Sequence, residues 1–502
     1  MQSQSPLYRS LSSFSIIHWI QHYSRPLLCI CSGFFMVHPL QAKNLSYAEA
    51  EQQYLSGSYS TMAHQALQQA SELEAQAVKN LGMPRVDLNV RAYAFQSKVD
   101  VPLDSFKNNI ENSLSNSINQ NVDQWPNLPD DMKGPVKDQL QQGLQSGLGM
   151  IPNNAKFTIE DQTIRPTISV LMPLYTGGFT STTKEMAQLK SARSQLNSQQ
   201  QENIQRYELI QAYFDVQLQH KLLQANQSNL ATTSKHYQNA LKLEQQGFIS
   251  KGQRMQFEVV KNNAQRNLQS TQADLSSSVF KLSNLLQQNT VDQLSTPLFI
   301  NTAHDQSLTA LLNSFPEHSA LIRKMQMDTR LADANVELQH ASKRPSVFAF
   351  GEYGLDSDHN WIVGVAARYN LFSGIDKNKN IRAAELQRQA AELLTSRTKQ
   401  ETENMIYRAY NELQSAQQSH VLLQQNIKAA QENLRIQELS FKESMGTATQ
   451  VIDAQNMLNA LESETALNAY RYILALATLL ESHGSIEQFQ NYVNQPNTMY
   501  IR

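Results

Sequence analysis

Two pairs of segments alternate between apolar and polar residues, and this alternation predicts β-strands. The clearest segments are 163–175 in the first half of the chain and 361–372 in the second. Their expected partner strands are 85–96 and 345–353, each of which begins at or just after a proline. A period of two places apolar side chains on one face of a strand and polar side chains on the other. Each half of the chain therefore holds a pair of half-buried strands.

Two very long helices are predicted after these strand pairs, at 180–246 and 376–445. Neither range contains a proline or a glycine, and at about 1.5 Å per residue each helix would be about 100 Å long. The apolar positions form the narrow stripe of a coiled coil. A stripe this thin is typical of a helix with neighbours at its sides and water on its other faces. In the first helix it consists of Leu189, Ala192, Leu196, Tyr207, Ile210, Phe214, Leu218 and Leu222.

Glycines mark the ends of both long helices. Gly247 and Gly446 are predicted to end them as left-handed caps. Antiparallel helices are then expected to return through 251–288 and 449–482. Each long helix would thus be one arm of a helical hairpin.

The same order of elements occurs twice, which predicts a mainly α protein with a small β part, built as a duplicated strand hairpin plus long helical hairpin. The first repeat is 43–300, the second is 301–490, and 491–502 form a C-terminal tail. Each repeat begins with a shorter predicted helix, at 47–81 and at 306–341. The matched landmarks are Tyr175 and Phe372 (offset 197), Tyr213 and Tyr410 (197), Gly247 and Gly446 (199), and Leu282 and Leu476 (194).

The first 42 residues have the features of an export signal. Arg9 and Arg25 are the only charged residues there, an apolar run spans 26–37, and cleavage is expected after Ala42. A short membrane anchor is the alternative, but the run is shorter than the roughly 20 residues of a spanning helix. Removal of this segment changes the net charge from −2 to −4 and removes both cysteines, so no disulfide is expected.

Composition and motif spacing argue against several classes of function. The charge is close to neutral, so no basic field points to nucleic acid. The segment 247–253 resembles a phosphate-binding loop, but Gln253 stands where the phosphate-binding lysine is needed. Histidines do not group at metal-ligand spacing, and no nucleophile motif is present. No enzymatic activity, cofactor or metal site is expected. Past residue 43 no run is apolar enough for a membrane helix, so any membrane crossing would have to use strands.

Four strands alone leave two possibilities, the face of a soluble sandwich or a barrel shared between several subunits. The junction sequences point to a family. Pro173, Gly177 and Gly178 at the first strand end, Gly374 at the second, and Gly446 followed by Val451-Ile452-Asp453-Ala454-Gln455 resemble the TolC-like outer-membrane factors. The resemblance covers residues 45–490 and includes the duplication.

The resemblance implies a homotrimer in the cell outer membrane that extends into the periplasm. Its twelve strands would form an outer-membrane β-barrel in contact with lipid, continued by a periplasmic α-helical barrel, with the shorter helices as an equatorial belt. The implied function is a passive exit duct for efflux or type I secretion. It would dock to a periplasmic adaptor and to an inner-membrane pump or ABC transporter. The cargo stays open.

The resemblance also implies a pore gate at the periplasmic tip, near the turns at Gly247 and Gly446. Asp453 falls at the position of an acidic ring, and Gln450 falls where a second acidic residue is often found. A solvated carboxylate near a helix N-terminus is the alternative for Asp453.

One segment departs from the family pattern. The predicted connection at 97–156 is far longer than a hairpin loop and has weak amphipathic character at 104–120 and 131–150. The competing hypothesis for the whole chain is a structural or adhesive periplasmic coiled-coil protein without a pore.

Overall fold

A computed structural model describes residues 44–102, 122, 134–140, 154–288, 291, 293–302, 307–357, 359–443 and 445–501. The expected export signal and the segment 104–120 lie outside the described residues. Within the 131–150 segment, residues 134–140 are helical. Most described residues are in helices.

Besides the helical residues 134–140, the described part of the first half contains four helices and four strands. The helices are α1 (Tyr47–Gly57), α2 (Tyr59–Ala77), α3 (Phe179–Gln245) and α4 (Lys251–Leu285). The strands are β1 (Asn44–Leu45), β2 (Arg85–Pro102), β3 (Asn154–Tyr175) and β4 (Gln293–Leu294), with β5 (Leu298–Asn301) at the boundary between the halves.

The second half repeats this order. Its helices are α5 (Leu308–His318), α6 (Ala320–Ala341), α7 (Lys377–Lys442) and α8 (Ala448–His483), followed by a 3₁₀ turn at Ile486–Gln488 and α9 (Phe489–Val493). Its strands are β6 (Ser346–Gly354), β7 (Trp361–Arg368) and β8 (Thr498–Ile501).

Both strand pairs join in one antiparallel sheet with the order β2-β3-β6-β7. β2 and β3 are longer than predicted and shorten the predicted 97–156 connection to 103–153. β7 is shorter than predicted and ends at Arg368 instead of residue 372. Its last residue pairs with Ser346, the first residue of β6. Pro345 precedes Ser346 and has no N–H to continue the ladder.

Each predicted shorter helix is in fact two helices. The break in the first is at Ser58, whose extended backbone starts α2 and whose hydroxyl accepts a hydrogen bond from the backbone N–H of Thr61 at 3.2 Å. The break in the second is at Ser319, which is also extended. Serine favours such cap positions because its side chain competes with the helical backbone for hydrogen bonds.

The main core lies where α1, α9 and β5 pack against the middle of the long helices. Five aromatic rings form its centre, with centroid separations between 5.2 and 5.9 Å: Tyr47, Tyr213, Phe214, Phe299 and Phe489. The hydroxyl of Tyr213 donates to the carbonyl of Leu45 at 2.8 Å and accepts from the N–H of Thr296 at 3.0 Å. This cluster ties both ends of the described chain to α3.

A second, smaller core lies near the far ends of the long helices. Its buried members are Ala240, Phe257, Leu434, Ala448, Val451 and Ala454. These residues come from all four long helices, so this cluster joins the two helical hairpins at the end opposite to the sheet.

Candidate functional site

The sheet has one apolar face, and the register of its strands makes that face continuous. Leu88, Ile168, Tyr353 and Trp361 are successive neighbours across all four strands. Their side chains are 67%, 37%, 42% and 72% exposed. The adjacent row on the same face contains Val86, Val170, Gly351 and Val363. An exposed apolar band of this kind is typical of a surface covered by lipid or by another protein.

The opposite face of the sheet is mixed: it carries the polar residues Asp87, Asn89, Ser169 and Glu352, but also Leu171, Phe350 and Ile362. The side-chain N–H of Asn89 donates to the hydroxyl of Ser169 at 2.8 Å across the β2–β3 pair. Nε of Arg165 lies 3.4 Å from Oδ2 of Asp356 without a hydrogen bond, and both side chains are largely buried. Charges therefore lie on the face that the apolar band does not use.

The apolar face changes sides along the β2–β3 hairpin. β6 ends opposite Thr167, and beyond the bond from the N–H of Leu355 to the carbonyl of Pro166 no further strand of the described structure pairs with β2 or β3. In this outer part Tyr93 and Phe95 are half-buried on the side that carries Asn89, while Gln96 and Lys98 are exposed on the side that carries Leu88. The apolar band of the sheet therefore does not continue along this outer part of the hairpin.

The predicted strand–helix junctions are unequal. Pro173 lies at an irregularity of the β3–β6 register. Gly177 and Gly178 both have positive φ, +64° and +98°, and a Cβ at Gly177 would lie 2.6 Å from Cβ of Arg344. Gly374 has φ of +70°, but nothing lies within 4 Å of its Cβ position. Both turns thus need a left-handed residue, and only the first also needs the space that glycine leaves.

The two tip turns also differ, and the prediction of a left-handed cap at Gly446 was wrong. Gly247 has φ of +77°, and the N–H of Phe248 reaches back to the carbonyl of Leu243 at 2.9 Å, as in a Schellman motif. Gly446 has no positive φ. Its Cβ position lies 3.1 Å from the backbone nitrogen of Phe441, so glycine is needed there because the chain folds tightly over the helix end.

Matching capping boxes follow both tip turns, and the sequence analysis missed them. The Ser250 hydroxyl accepts from the N–H of Gln253, whose Oε1 accepts from the N–H of Ser250. In the second box the Thr447 hydroxyl accepts from the N–H of Gln450 at 3.3 Å, and Oε1 of Gln450 accepts from the N–H of Thr447 at 2.7 Å. The pattern Ser/Thr-x-x-Gln was the signal that predicts them.

The two gate candidates occupy the first turns of α8. Gln450 is exposed, but its amide oxygen is used by the cap at Thr447. Asp453 is exposed, next to the buried Val451 and Ala454 of the smaller core. The structure thus places Asp453 at the surface near the tip. Its role in a pore stays a prediction.

A cleft of about 400 Å³ lies between α3 and α7 near the tip. Leu243, Phe441 and Val451 give it an apolar side, and Lys235, Lys242 and Lys442 give it a basic one. His236 is also in its wall, with Nε2 lying 3.4 Å from Oε1 of Glu438. Burial lowers the pKa of His236, Glu438 opposes this shift, and Lys235 adds to it. Sequence reasoning did not find this cleft because its two walls are about 200 residues apart along the chain.

Among the helices that the structure describes, none is both long and apolar enough to cross a membrane. Over the same residues, no three or more histidine, cysteine, aspartate and glutamate side chains group in a way that would hold a metal ion.

The fold defines a class, a duplicated long-helix protein with a small four-stranded sheet, and known outer-membrane channels share it. VceC, an outer membrane protein from Vibrio cholerae, is 16% identical with a TM-score of 0.68, over 87% of this chain and 96% of that one. CusC is 14% identical with a TM-score of 0.68, over 87% and 92%. The Campylobacter jejuni CmeC outer membrane channel is 10% identical with a TM-score of 0.67, over 89% of each chain.

A family model described as outer membrane efflux protein matches residues 311–485. This match and the shared fold agree with the predicted resemblance to the TolC-like outer-membrane factors. None of the curated proteins compared with this chain matches it.

Proposed function

We propose that this protein is a subunit of an outer-membrane channel that acts as a passive exit duct in efflux or type I secretion. The observation that carries this proposal is the continuous apolar row across β2, β3, β6 and β7, with charges on the opposite face. Lipid outside and water inside require this division. The helices α3 and α7, with 67 and 66 residues, would continue the duct for about 100 Å into the periplasm.

The open edges of the sheet support a homotrimer. β2 and β7 are the two edge strands, and an unpaired strand edge in lipid leaves backbone N–H and C=O groups without partners. Three copies, joined β7 to β2, would close twelve strands into a barrel. Each edge would then be paired by the edge of the next subunit.

The cleft near the tip supports docking of a periplasmic adaptor, which would connect the duct to an inner-membrane pump or ABC transporter. Its apolar side and three lysines suit a partner whose tip carries apolar and acidic side chains. Replacement of Lys242 and Lys442 by glutamate should abolish co-purification with that adaptor, while Lys399→Glu, on an exposed part of α7, should leave it intact. Equal co-purification of the adaptor with the wild-type protein, the variant with glutamate at 242 and 442, and Lys399→Glu would contradict docking at this cleft.

The gate is assigned to Asp453. Its carboxylate is exposed near the tip, where the two hairpins are joined by the smaller core. Three copies of this residue around one axis would concentrate negative charge and attract cations.

Ion conductance of the purified protein in planar bilayers tests the channel function. Leu88→Arg and Asn89→Arg form a matched pair, since these neighbours on β2 point to opposite faces of the sheet. Arginine on the lipid face costs about 2–4 kcal/mol near the middle of a bilayer. We therefore expect Leu88→Arg to reduce insertion strongly and Asn89→Arg to insert and conduct.

The competing hypothesis, a periplasmic coiled-coil protein without a pore, predicts the opposite behaviour. Such a protein would be released from membranes by salt rather than by detergent and would not conduct. Release by salt together with absence of conductance would refute the proposed channel function. A plain coiled coil also gives no reason for the apolar row of the sheet.

A further inference from the structure

The two strand hairpins of the chain have the same register. Arg85, the first residue of β2, pairs with Leu171, and Ser346, the first residue of β6, pairs with Arg368. Both first residues directly follow a proline, and Leu171 and Arg368 are 197 positions apart, the offset that separates the repeats at their strand–helix junctions. Each residue of one hairpin therefore has a defined counterpart in the other.

The end of β3 extends past this shared row and is held by the other repeat. Its own hairpin partner, β2, begins at the row of Leu171. Beyond that row, Met172 pairs with Ala349 and Pro173 pairs with Phe348, both of which lie in β6. The last residues of β3 are therefore part of the sheet because β6 lies beside them.

The counterpart segment after β7, residues 369–372, has no such neighbour. It follows Arg368, where pairing with β6 stops, and β7 is an edge strand, so no strand of the described structure lies on its other side. Leu371 and Phe372 are 89% and 92% exposed, more than any other large hydrophobic side chain that the structure describes, and Ile375 is exposed as well. A contiguous apolar surface of this kind is typical of a site that another molecule covers.

We propose that residues 369–372 form the end of β7 in the assembled protein, where they pair with β2 of the next subunit in the register that β3 has with β6. This inference rests on the proposed homotrimer and gives its subunit interface a register. It also joins the two edges of the sheet in the same way as the β3–β6 interface joins the two repeats within one chain.

The equivalence of the hairpins specifies the pairs. Leu88 and Ala349 are each the fourth residue after the proline that precedes their strand. The pair of Met172 with Ala349 therefore corresponds to Tyr369 opposite Leu88 of the partner subunit. By the same rule Asn370 lies opposite the next residue towards the proline, Asp87 of the partner subunit.

The two faces of the sheet provide an independent check on this register. Val363 and Val365 lie in the apolar face of β7, and the alternation of the strand places Tyr369 on the same face. Leu88 lies in the apolar face of β2. The register thus sets one apolar face beside the other. A shift by one residue would put Tyr369 opposite Asp87 of the partner subunit and interrupt the apolar band.

Cysteine cross-linking of the full-length protein tests this register. Residues directly opposite in an antiparallel pair have Cα atoms about 4.5–5.5 Å apart, within the range of about 4.4–6.8 Å that a disulfide spans. Tyr369→Cys combined with Leu88→Cys should therefore give covalent trimers on oxidation. Tyr369→Cys combined with Asp87→Cys is the matched control and should cross-link at least tenfold less, since these side chains would point to opposite faces. Cys29 and Cys31, the chain's own cysteines, are replaced by serine in all variants.

A second matched pair keeps the test decisive if the first does not assemble. Asn370→Cys combined with Asp87→Cys tests the same register on the other face of the sheet and should cross-link as strongly as the first pair. A conducting trimer that cross-links in neither matched pair, as it would if lipid alone covered 369–372, would overturn the proposal. Equal cross-linking of the control would overturn it as well.

Failure of the register and failure of the channel function give different results. Size-exclusion chromatography and conductance, both under reducing conditions, report assembly and channel function without the cross-link. Trimers that conduct but do not cross-link contradict the register alone. Monomers that do not conduct contradict the homotrimer and, with it, the register.

Discussion

Nη1 of Arg344 donates a hydrogen bond to the carbonyl oxygen of Gly177 at 3.0 Å. This bond joins the glycine turn of the first repeat to the segment that leads into β6 of the second. The second repeat has no counterpart, because Gly374 has open space around its Cβ position. This contact between the two copies thus has no equivalent at the turn of the second repeat.

The first prediction compares the two turn glycines. Alanine at Gly374 should cost about 1–2 kcal/mol, the price of a left-handed conformation for a residue with a Cβ. Alanine at Gly177 should cost more, because its Cβ would also meet Cβ of Arg344 at 2.6 Å and the carbonyl of Ala341 at 3.1 Å. Thermal unfolding of the two variants checks this order. Equal melting temperatures would contradict the role assigned to the Arg344 contact.

The second prediction concerns two buried polar side chains that connect the helical hairpins. Nε2 of Gln455 in α8 donates to Oδ1 of Asn229 in α3 at 3.2 Å. Asn229→Leu or Gln455→Leu alone leaves a buried group unpaired, which costs about 1–3 kcal/mol. The double variant should recover most of this loss. If the two single effects simply add in the double-mutant cycle, the pair does not couple the hairpins.

The third prediction is a loss of stability in acid. Burial lowers the pKa of His236 and of His420. Below the histidine pKa of the unfolded chain, about 6.5, the unfolded state therefore binds more protons than the folded state. The free energy of unfolding should have its full value above that pH and fall below it. Unfolding by denaturant at pH 8 and pH 5 measures the difference.

His420 allows a sharper version of this test. It is 2% exposed, and neither ring nitrogen has a partner in the described structure. His420→Leu should stabilise the protein at pH 8 by about 1 kcal/mol or more, since an unpaired buried group is removed, and should reduce the loss at pH 5. An unchanged pH dependence would mean that the ring is solvated in the assembled protein.

The fourth prediction tests the assigned gate. Asp453→Asn should weaken the block of conductance by divalent cations, while Glu443→Gln, exposed at the end of α7, should not. Gln450→Glu keeps a residue that can close the capping box with Thr447 and adds a carboxylate one turn from Asp453. It should strengthen the block. If neither Asp453→Asn nor Gln450→Glu changes the block of conductance, neither residue lines the pore.

Much of this fold was readable from residue patterns, for identifiable reasons. Long helices without glycine or proline and strands with period two are set by neighbours in the chain. The pairing of Leu88 with Ile168, Tyr353 and Trp361 follows once the strand order is known. The prediction of β2 runs past the point after Val90 where the apolar residues change sides, and it misses only the last six residues, 97–102.

The parts that sequence did not predict depend on distant contacts or on fine backbone geometry. Gly446 gave the same signal as Gly247, although only the latter has positive φ. The breaks at Ser58 and Ser319 depend on how α1 and α5 pack, since serine alone is compatible with either state. The cleft beside His236 needs two helices that meet only in the folded protein.

The strand pairs differ in length: β2 and β3 have 18 and 22 residues, whereas β6 and β7 have 9 and 8. From Pro166 outward the longer pair forms an extension that is not paired with β6; it contacts the second hairpin through Leu355 and Asp356, which follow β6. Insertions and substitutions in this extension leave the bonds of the shared sheet unchanged. On the proposed channel function this extension lies on the extracellular side of the barrel, and changes in its sequence leave the dimensions of the barrel unchanged.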